Sequence, residues 1–497
     1  MRKEKDSMGF VDLPEDCLWG PQTERSRQNF RIGTELMPLE LIRALIEIKR
    51  AGAQVHQDLE KDADERAKFR AIEEAADALL AMDREELRLH FPLSVWQTGS
   101  GTQSNMNANE VLAHMAGQRL GRSVHPNDDV NRAQSSNDVF PTALHLALRQ
   151  EARRLIHELD LLVECSKEQA ARHYYQYKIG RTHCQDAVPM TLGQEISGWA
   201  WMLEFHLEDI QKTDFELGVV PLGGTALGTG LNTPEAWQSR ILERISRNTG
   251  VSLYPPENLF AEMASRGRVA AFHASLDLLA QSLVKIANDL RLLASGPRCG
   301  LAEIQLPANE PGSSIMPGKV NPTQCEALIM VCYTVMGHNH SLGLANASGQ
   351  FQINTTMPMM AYLCLQSMQL LREAMESFRT KCLEGISVNE DQLKRNVEQS
   401  LMLVTKLATR LGYDQAADLA KEAGSRGLSI REVVLERGLM TDEEYDELLS
   451  LEHMVFIEQS ADDWDEFYGA DDEQGDCGCG HGHGHGDCGC GCNHAHD

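Results

Sequence analysis

Leu276-Asp277-Leu278-Leu279-Ala280-Gln281-Ser282-Leu283-Val284-Lys285-Ile286-Ala287-Asn288-Asp289-Leu290-Arg291-Leu292-Leu293 is the stretch that decides the fold. Leu276, Leu279, Leu283, Ile286, Leu290 and Leu293 recur at alternating steps of three and four, which lays one apolar stripe along a helix that stops at Gly296-Pro297. Leu144, Leu148, Ala152, Leu155, Leu159 and Leu162 repeat the pattern, predicting a second long helix that starts just after Pro141. Ala327 to Leu344 is long and nearly uncharged, as expected of a helix buried on most sides at the centre of a bundle or an oligomer. Alternating runs of β-branched residues are scarce, so a sheet-based fold is not expected. The body reads as all-α, with long bundled helices.

Composition narrows the function. The 497 residues carry 46 Lys and Arg against 73 Asp and Glu, a net charge of −27. Such an excess of acid argues against a nucleic-acid partner, which calls for clustered Lys and Arg. No run of 18 apolar residues is present to span a bilayer, and Met1 to Asp6 leads into no apolar signal segment. A cytoplasmic, multi-domain enzyme is expected, and the scattered cysteines of the body read as reduced, mostly packed thiols.

Three polar, glycine-bearing loops punctuate the helices: Thr98 to Thr102, Gly223 to Gly230, and Glu310 to Pro322. None is a nucleotide cradle. Five residues separate Gly312 from Gly318, and Val320 follows Lys319, whereas the phosphate-binding loop needs four and then Ser or Thr. Gly99-Ser100-Gly101 lacks a third glycine and a preceding strand. ATP and NAD are therefore poor candidates. In Gly312-Ser313-Ser314-Ile315-Met316-Pro317-Gly318-Lys319-Val320-Asn321-Pro322, a lysine charge and an asparagine amide suit a carboxylate whose negative charge grows during a reaction. A surface loop with an ordinary lysine is the plainer alternative.

This undecapeptide resembles the signature of the aspartase/fumarase superfamily. Gln97 to Asn107 and Gly180 to Ala187 resemble two further blocks of that superfamily, in the same order, and the resemblance runs from about Glu4 to about Phe456. Within it, His125 to Asn131, Ser135 to Thr142 and above all His183 are similar to class II fumarate hydratases, since aspartases typically carry Gln at the histidine. A departing hydroxide needs a proton, and an imidazole with a near-neutral pKa suits that task, whereas an ammonium leaving group needs no such acid.

The resemblance implies a three-domain fold: an N-terminal domain over 1–134, a central long-helix bundle over 135–390 and a small helical domain over 391–458; composition, not the resemblance, makes 459–497 an expected disordered tail. It implies reversible hydration of fumarate to (S)-malate in the tricarboxylic acid cycle. Ser313 would be the base, helped by Lys319; His183 would hold or protonate the water, and Glu326 would tune His183. Substrate carboxylates would meet Ser100, Gly101, Thr102, Ser135, Ser136, Asn137, Thr182, Ser314, Val320 and Asn321 as well as Lys319. A second dicarboxylate site would involve Arg122, His125, Pro126, Asn127 and Asp128, where an Asx-type turn is the alternative. No cofactor is implied for catalysis, and a homotetramer with sites shared between chains is. The segment Asn354 to Pro358 and Cys184 depart from the family's usual residues, which points to altered packing rather than altered chemistry. Aspartate ammonia-lyase is the rival enzyme, and a metal-storage protein on an enzyme-like scaffold is the rival of another class.

The end of the chain needs its own account. No Lys or Arg follows Arg437, while Asp and Glu occur 17 times beyond it. From Asp476 glycine alternates with Cys477, Cys479, His481, His483, His485, Cys488, Cys490, Cys492, then His494 and His496 follow. Alternating glycine precludes a packed core, and this density of thiols and imidazoles suits Zn²⁺, Ni²⁺ or Cu⁺. A solubilising acidic extension is the alternative.

Overall fold

The computed structural model describes residues 1–312 and 314–456. The stretch around Leu276 belongs to a helix over Gly267–Leu293 whose leucine stripe is fully buried. That helix packs against three others, Leu192–Glu216, Thr323–Ala347 and Met357–Lys381. The 37-residue helix Ser136–Arg172 closes the ring by packing on Leu192–Glu216 and on Met357–Lys381. By length and composition Gly267–Leu293 could cross a membrane, but here its apolar side makes the bundle core. The architecture is mainly helical, as the periodicity predicts.

One expectation about these helices is corrected, and the single chain meets another only in part. The helix expected to start after Pro141 starts at Ser136, because Ser135 and Asp138 form a capping box ahead of the proline. Pro141 then falls in the second turn, where its missing N–H forfeits one intrahelical bond. The apolar helix expected to be buried on most sides is covered on one side only in the single chain. Cys325, Leu328, Cys332, Val335 and Leu342 face the bundle, whereas Met330, Tyr333 and Leu344 are exposed.

Around the bundle, helices Leu39–Leu59, Ala63–Ala81 and Thr102–Leu120 pack on one another, and the first also packs on Ser136–Arg172. One continuous core runs from Leu13 to Ile386, and a second, smaller core gathers Leu403 to Leu449. Among the described residues, strands occur only as antiparallel pairs: Arg2–Asp6 with Gly9–Leu13, Tyr177–Thr182 with Gln185–Thr191, and Ile304–Gln305 with Ser387–Val388.

The order of the bundle helices decides what each end carries. Ser136–Arg172, Gly267–Leu293 and Met357–Lys381 run one way, and the other two run back. At one end lie the start of Ser136–Arg172 and the 99–102 loop, where Met357 N–H donates to Gly99 O at 3.0 Å. At the other end Cys325 Sγ lies 3.9 Å from Cys382 Sγ, and Gln169 Nε2 donates to Glu384 O at 3.4 Å. The Tyr177–Thr191 hairpin and the 312–322 loop belong to that second end.

Candidate active site

At the first end, two glycines allow a tight loop. A Cβ on Gly99 would lie 1.4 Å from Thr355 O, and one on Gly101, whose φ is +73°, would lie 2.1 Å from the Phe140 ring. The loop therefore seats on the Asn354–Thr356 segment, where Asn354 is fully buried and its Nδ2 donates to Ala345 O at 2.8 Å. Ser100 Oγ and Thr102 Oγ1 are 2.8 Å apart where the Thr102–Leu120 helix begins. Asn105, one turn on, donates from Nδ2 to Ser136 Oγ at 3.0 Å, which brings the start of a second helix alongside the first. Two helix N-termini with hydroxyls at their mouths form a cradle suited to a carboxylate.

Neighbouring residues of the motif hold this cradle rather than line it. Ser135 Oγ accepts from Asn137 N–H at 3.2 Å, as the cap of its helix. Asp138 Oδ1 accepts from Ser135 N–H at 2.9 Å, and its Oδ2 accepts from Gly223 and Thr225 N–H at 3.0 and 2.9 Å. Burial pushes the Asp138 carboxyl up to about 6 despite those donors. Asn137 Nδ2 donates to Ala226 O at 2.8 Å, so the glycine-rich loop Gly223 to Gly230 is fastened beside the cradle.

At the second end, Thr182 pairs with Gln185, leaving His183 and Cys184 as a two-residue hairpin turn. Their φ values are +55° and +58°, as a type I′ turn requires at both central positions. The turn thrusts His183 into solvent, and among the described residues the imidazole has no hydrogen-bond partner in the single chain. Its expected pairing with Glu326 is absent there: Glu326 stands in the exposed first turn of Thr323–Ala347. The hairpin base is anchored, since Arg181 Nη2 donates to Glu303 Oε1 at 2.6 Å and Lys178 Nζ lies 3.0 Å from Glu303 Oε2.

The 312–322 loop folds back on itself. Asn321 Nδ2 donates to Gly312 O at 2.6 Å, and a Cβ on Gly312 would lie 1.7 Å from Lys319 O. Lys319, Val320, Asn321 and Glu326, with Arg291, line one cavity of about 870 Å³. Ser314 is exposed beside it, and Ser313 lies outside the described residues. So do the cysteines and histidines from Cys477 to His496 and the expected disorder of the tail.

One chain thus carries two half-sites that it cannot join. The cradle of Ser100, Thr102 and Ser136 and the group of Lys319, Asn321 and Glu326 are separated by the 25-residue helix Thr323–Ala347, about 37 Å long. Thr182 and His183 lie at the same end as Lys319.

The second dicarboxylate set stands apart, on the rim of a cavity of about 830 Å³ under the Arg2–Leu13 hairpin. His125 Nδ1 accepts from Asn127 and Asp128 N–H at 3.3 and 3.0 Å and caps the π-helical turn Pro126–Val130. Arg122 Nη2 donates to Asp64 O at 2.6 Å. Arg122, His125, Pro126 and Asn127 line that cavity, and Asp128 does not. Residues given no role in the sequence reading brace both half-sites: Asn105 and Asn131, which lie within the quoted motif blocks, and Lys49 and Glu303, which lie outside them.

Comparison with known proteins places this geometry in a family. Residues 9–337 match the lyase family model, and residues 403–455 match the fumarase C C-terminal model. Fumarate hydratase class II of Yersinia pestis is 49% identical over 461 residues, covering 91% of this chain and 98% of the relative. The Bacillus cereus enzyme of the same description is 47% identical over 460 residues, with 91% and 98% covered. The crystal structure of class II fumarase from Schistosoma mansoni superposes with a TM-score of 0.87 at 37% identity, covering 92% of this chain and 99% of that one. A Brucella melitensis fumarate lyase:delta crystallin bound to cobalt gives the same TM-score at 39% identity, with 92% and 100% covered. The chain therefore belongs to the lyase family and, within it, to the class II fumarate hydratases, and it is a hydro-lyase.

Proposed function

We propose that the chain catalyses the reversible anti addition of water to fumarate, giving (S)-malate, as a cytoplasmic homotetramer of the tricarboxylic acid cycle. The observation that carries this reading is the cradle of Ser100, Thr102 and Ser136 at two helix N-termini, at the opposite end of the bundle from its own chain's Lys319 and His183. Read from malate, Ser313 removes the C3 proton and the electron pair moves onto the adjacent carboxylate as an aci-carboxylate. Lys319 and Asn321 bind a substrate carboxylate and, as donors fixed in advance, favour its growing charge. His183 then protonates the hydroxide that leaves from the opposite face, with Glu326 of an adjoining chain tuning it. Ser313 takes its role from the motif alone, and as an alkoxide it needs Lys319 and backbone donors nearby.

The homotetramer reading is supported by the distance between half-sites and by the exposed apolar face of Thr323–Ala347, since a second copy can supply both the missing half and the missing cover. Purified protein is assayed separately with malate and with L-aspartate. Fumarate formed from malate alone is the expected outcome, and ammonia released from aspartate overturns the reading in favour of an ammonia-lyase. We further propose that the tail from Cys477 to His496 binds Zn²⁺, Ni²⁺ or Cu⁺ independently of catalysis, on the strength of its ligand density.

A further inference from the structure

Lys49 lies among apolar residues of the Leu39–Leu59 helix and is fully buried. Its Nζ donates to Asn131 Oδ1 at 2.7 Å and to Gln134 Oε1 at 3.0 Å. Protonated or neutral, the amine carries at least two N–H donors, so both amides turn their oxygens toward it. That fixes Asn131, whose Nδ2 donates to Gln134 O at 3.2 Å. Asn105 must then present its own NH₂ group to Asn131 Oδ1, at 3.3 Å. The same NH₂ reaches Ser136 Oγ at 3.0 Å. Ser136 therefore accepts on the protein side, and its O–H remains to donate into the cradle. A carboxylate can only accept.

We propose that Lys49 is a positioning residue for substrate: through Asn131 and Asn105 it sets the polarity of Ser136, so that the serine hydroxyl donates to a substrate carboxylate. Lys49 touches no substrate itself. The inference rests on the reading of Ser136 as a carboxylate ligand given above, and it adds the residue that makes the serine a donor. Without the lysine, Asn131 is oriented by its Nδ2 bond to Gln134 O alone, the flipped amides cost less, and Ser136 can spend its proton on an amide oxygen.

The test is a double-mutant cycle on the intact oligomer, with KM and kcat for fumarate and malate measured for Lys49→Met, Ser136→Ala and the pair. Lys49→Met keeps the length of the side chain and removes the charge. The expected result is a KM raised about 10- to 100-fold, more than kcat falls, with no further rise when Lys49→Met is added to Ser136→Ala. A KM shift of equal size in both backgrounds overturns the relay, as does an unchanged KM with a lowered unfolding midpoint. A wild-type KM in Ser136→Ala alone shows that the ligand reading of Ser136 has failed, and the relay falls with it. If Lys49→Met does not fold, Asn131→Asp and Asn131→Leu replace it. The aspartate keeps the acceptor, so its KM is expected about tenfold below that of the leucine variant, and equal values overturn the proposal.

Discussion

Lys178 and Glu303 form an ion pair of 3.0 Å in which both side chains are sealed from solvent. The carboxylate also takes Arg181 at 2.6 Å and Asn396 Nδ2 at 3.1 Å, while Glu303 N–H donates to Leu293 O at 2.9 Å. The pair thus nails the base of the His183 hairpin to the end of the Gly267–Leu293 helix. Burial alone would raise the Glu303 carboxyl, but Lys178 and Arg181 outweigh it and hold it below the ordinary carboxylate range.

Glu303→Gln removes the one carboxylate that Lys178 and Arg181 share, leaving Lys178 with Glu195 at 2.5 Å and Arg181 with Asp186 at 3.7 Å. Since both cations keep a second carboxylate, the expected destabilisation is about 1.5–3 kcal/mol, with a lower kcat from the loosened hairpin. Urea unfolding and turnover, measured side by side, check this; an unchanged urea midpoint counts against it. Because the folded pKa is depressed, the stabilisation from Glu303 is full above the ordinary carboxylate value and is lost as pH falls below it.

His183 tests the chemistry more directly. His183→Asn keeps a residue type tolerant of positive φ in the turn while removing the titrating ring. The expected kcat is lower by a factor of roughly 10²–10⁴, with KM changed much less. A rate near that of the unmodified chain would remove the imidazole from the mechanism.

Three buried histidines predict how stability depends on acid. Burial pushes His56 and His273 down to about 4 and His145 to about 3. Each stays neutral in the folded chain while the unfolded chain takes up a proton below about 6.5. Folding stability is therefore full above that value and falls as pH drops toward about 4, by about 2 kcal/mol per histidine at pH 5. His273 bonds Ser367 Oγ at 2.9 Å and Asn339 Oδ1 at 3.2 Å, contacts that a glutamine can partly replace. His273→Gln should lose about 2 kcal/mol less than the parent between pH 7 and pH 5, as read from urea midpoints at each pH. Parallel losses in the two proteins would contradict the assignment.

The fold was legible because long helices with a 3.6-residue period leave a regular trace, as Leu276 to Leu293 do. The start of Ser136–Arg172 was misplaced because Pro141 is a stronger punctuation mark to the eye than a capping box. Motif residues such as Ser136, Lys319 and His183 stood out through their resemblance to a family, while their bracing partners did not. Lys49 left one faint sign, a charge beside Ile48 on an otherwise apolar helix face. Asn105 and Asn131 stand within the quoted motif blocks and Glu303 outside them, but none showed its role, since those roles depend on contacts 26 to 122 residues away in sequence. The one-sided exposure of Thr323–Ala347 was hidden for another reason: an apolar helix reads the same whether its own chain or a second copy covers it.

Truncation before Asp476 separates the two proposed activities. Bound Zn²⁺, Ni²⁺ or Cu⁺ should be lost with the tail, while hydratase turnover stays within about twofold of the full chain, since metal ligands and substrate ligands occupy separate segments. Metal content by elemental analysis and malate turnover on the same samples decide it, and a large fall in turnover would join tail to catalysis.

The distance between half-sites yields the sharpest prediction. If each site takes Ser136 from one chain and His183 from another, then at substrate well below the raised KM of Ser136→Ala both Ser136→Ala and His183→Asn chains turn over slowly alone, yet a mixed oligomer holds some sites built wholly from intact residues. Random mixing after unfolding and refolding together should make about one site in four complete, and so restore about a quarter of the parent activity. A charged residue on the exposed face, Tyr333→Glu, should dissociate the assembly and abolish turnover in the same step, because Tyr333 is 58% exposed in the single chain and would be covered by a copy. Sedimentation and turnover on the mixed and the Tyr333→Glu samples are the measurements. Refolded mixtures as inactive as their components would mean that one chain somehow closes the roughly 37 Å gap by itself, and a monomeric, fully active Tyr333→Glu variant would mean the same.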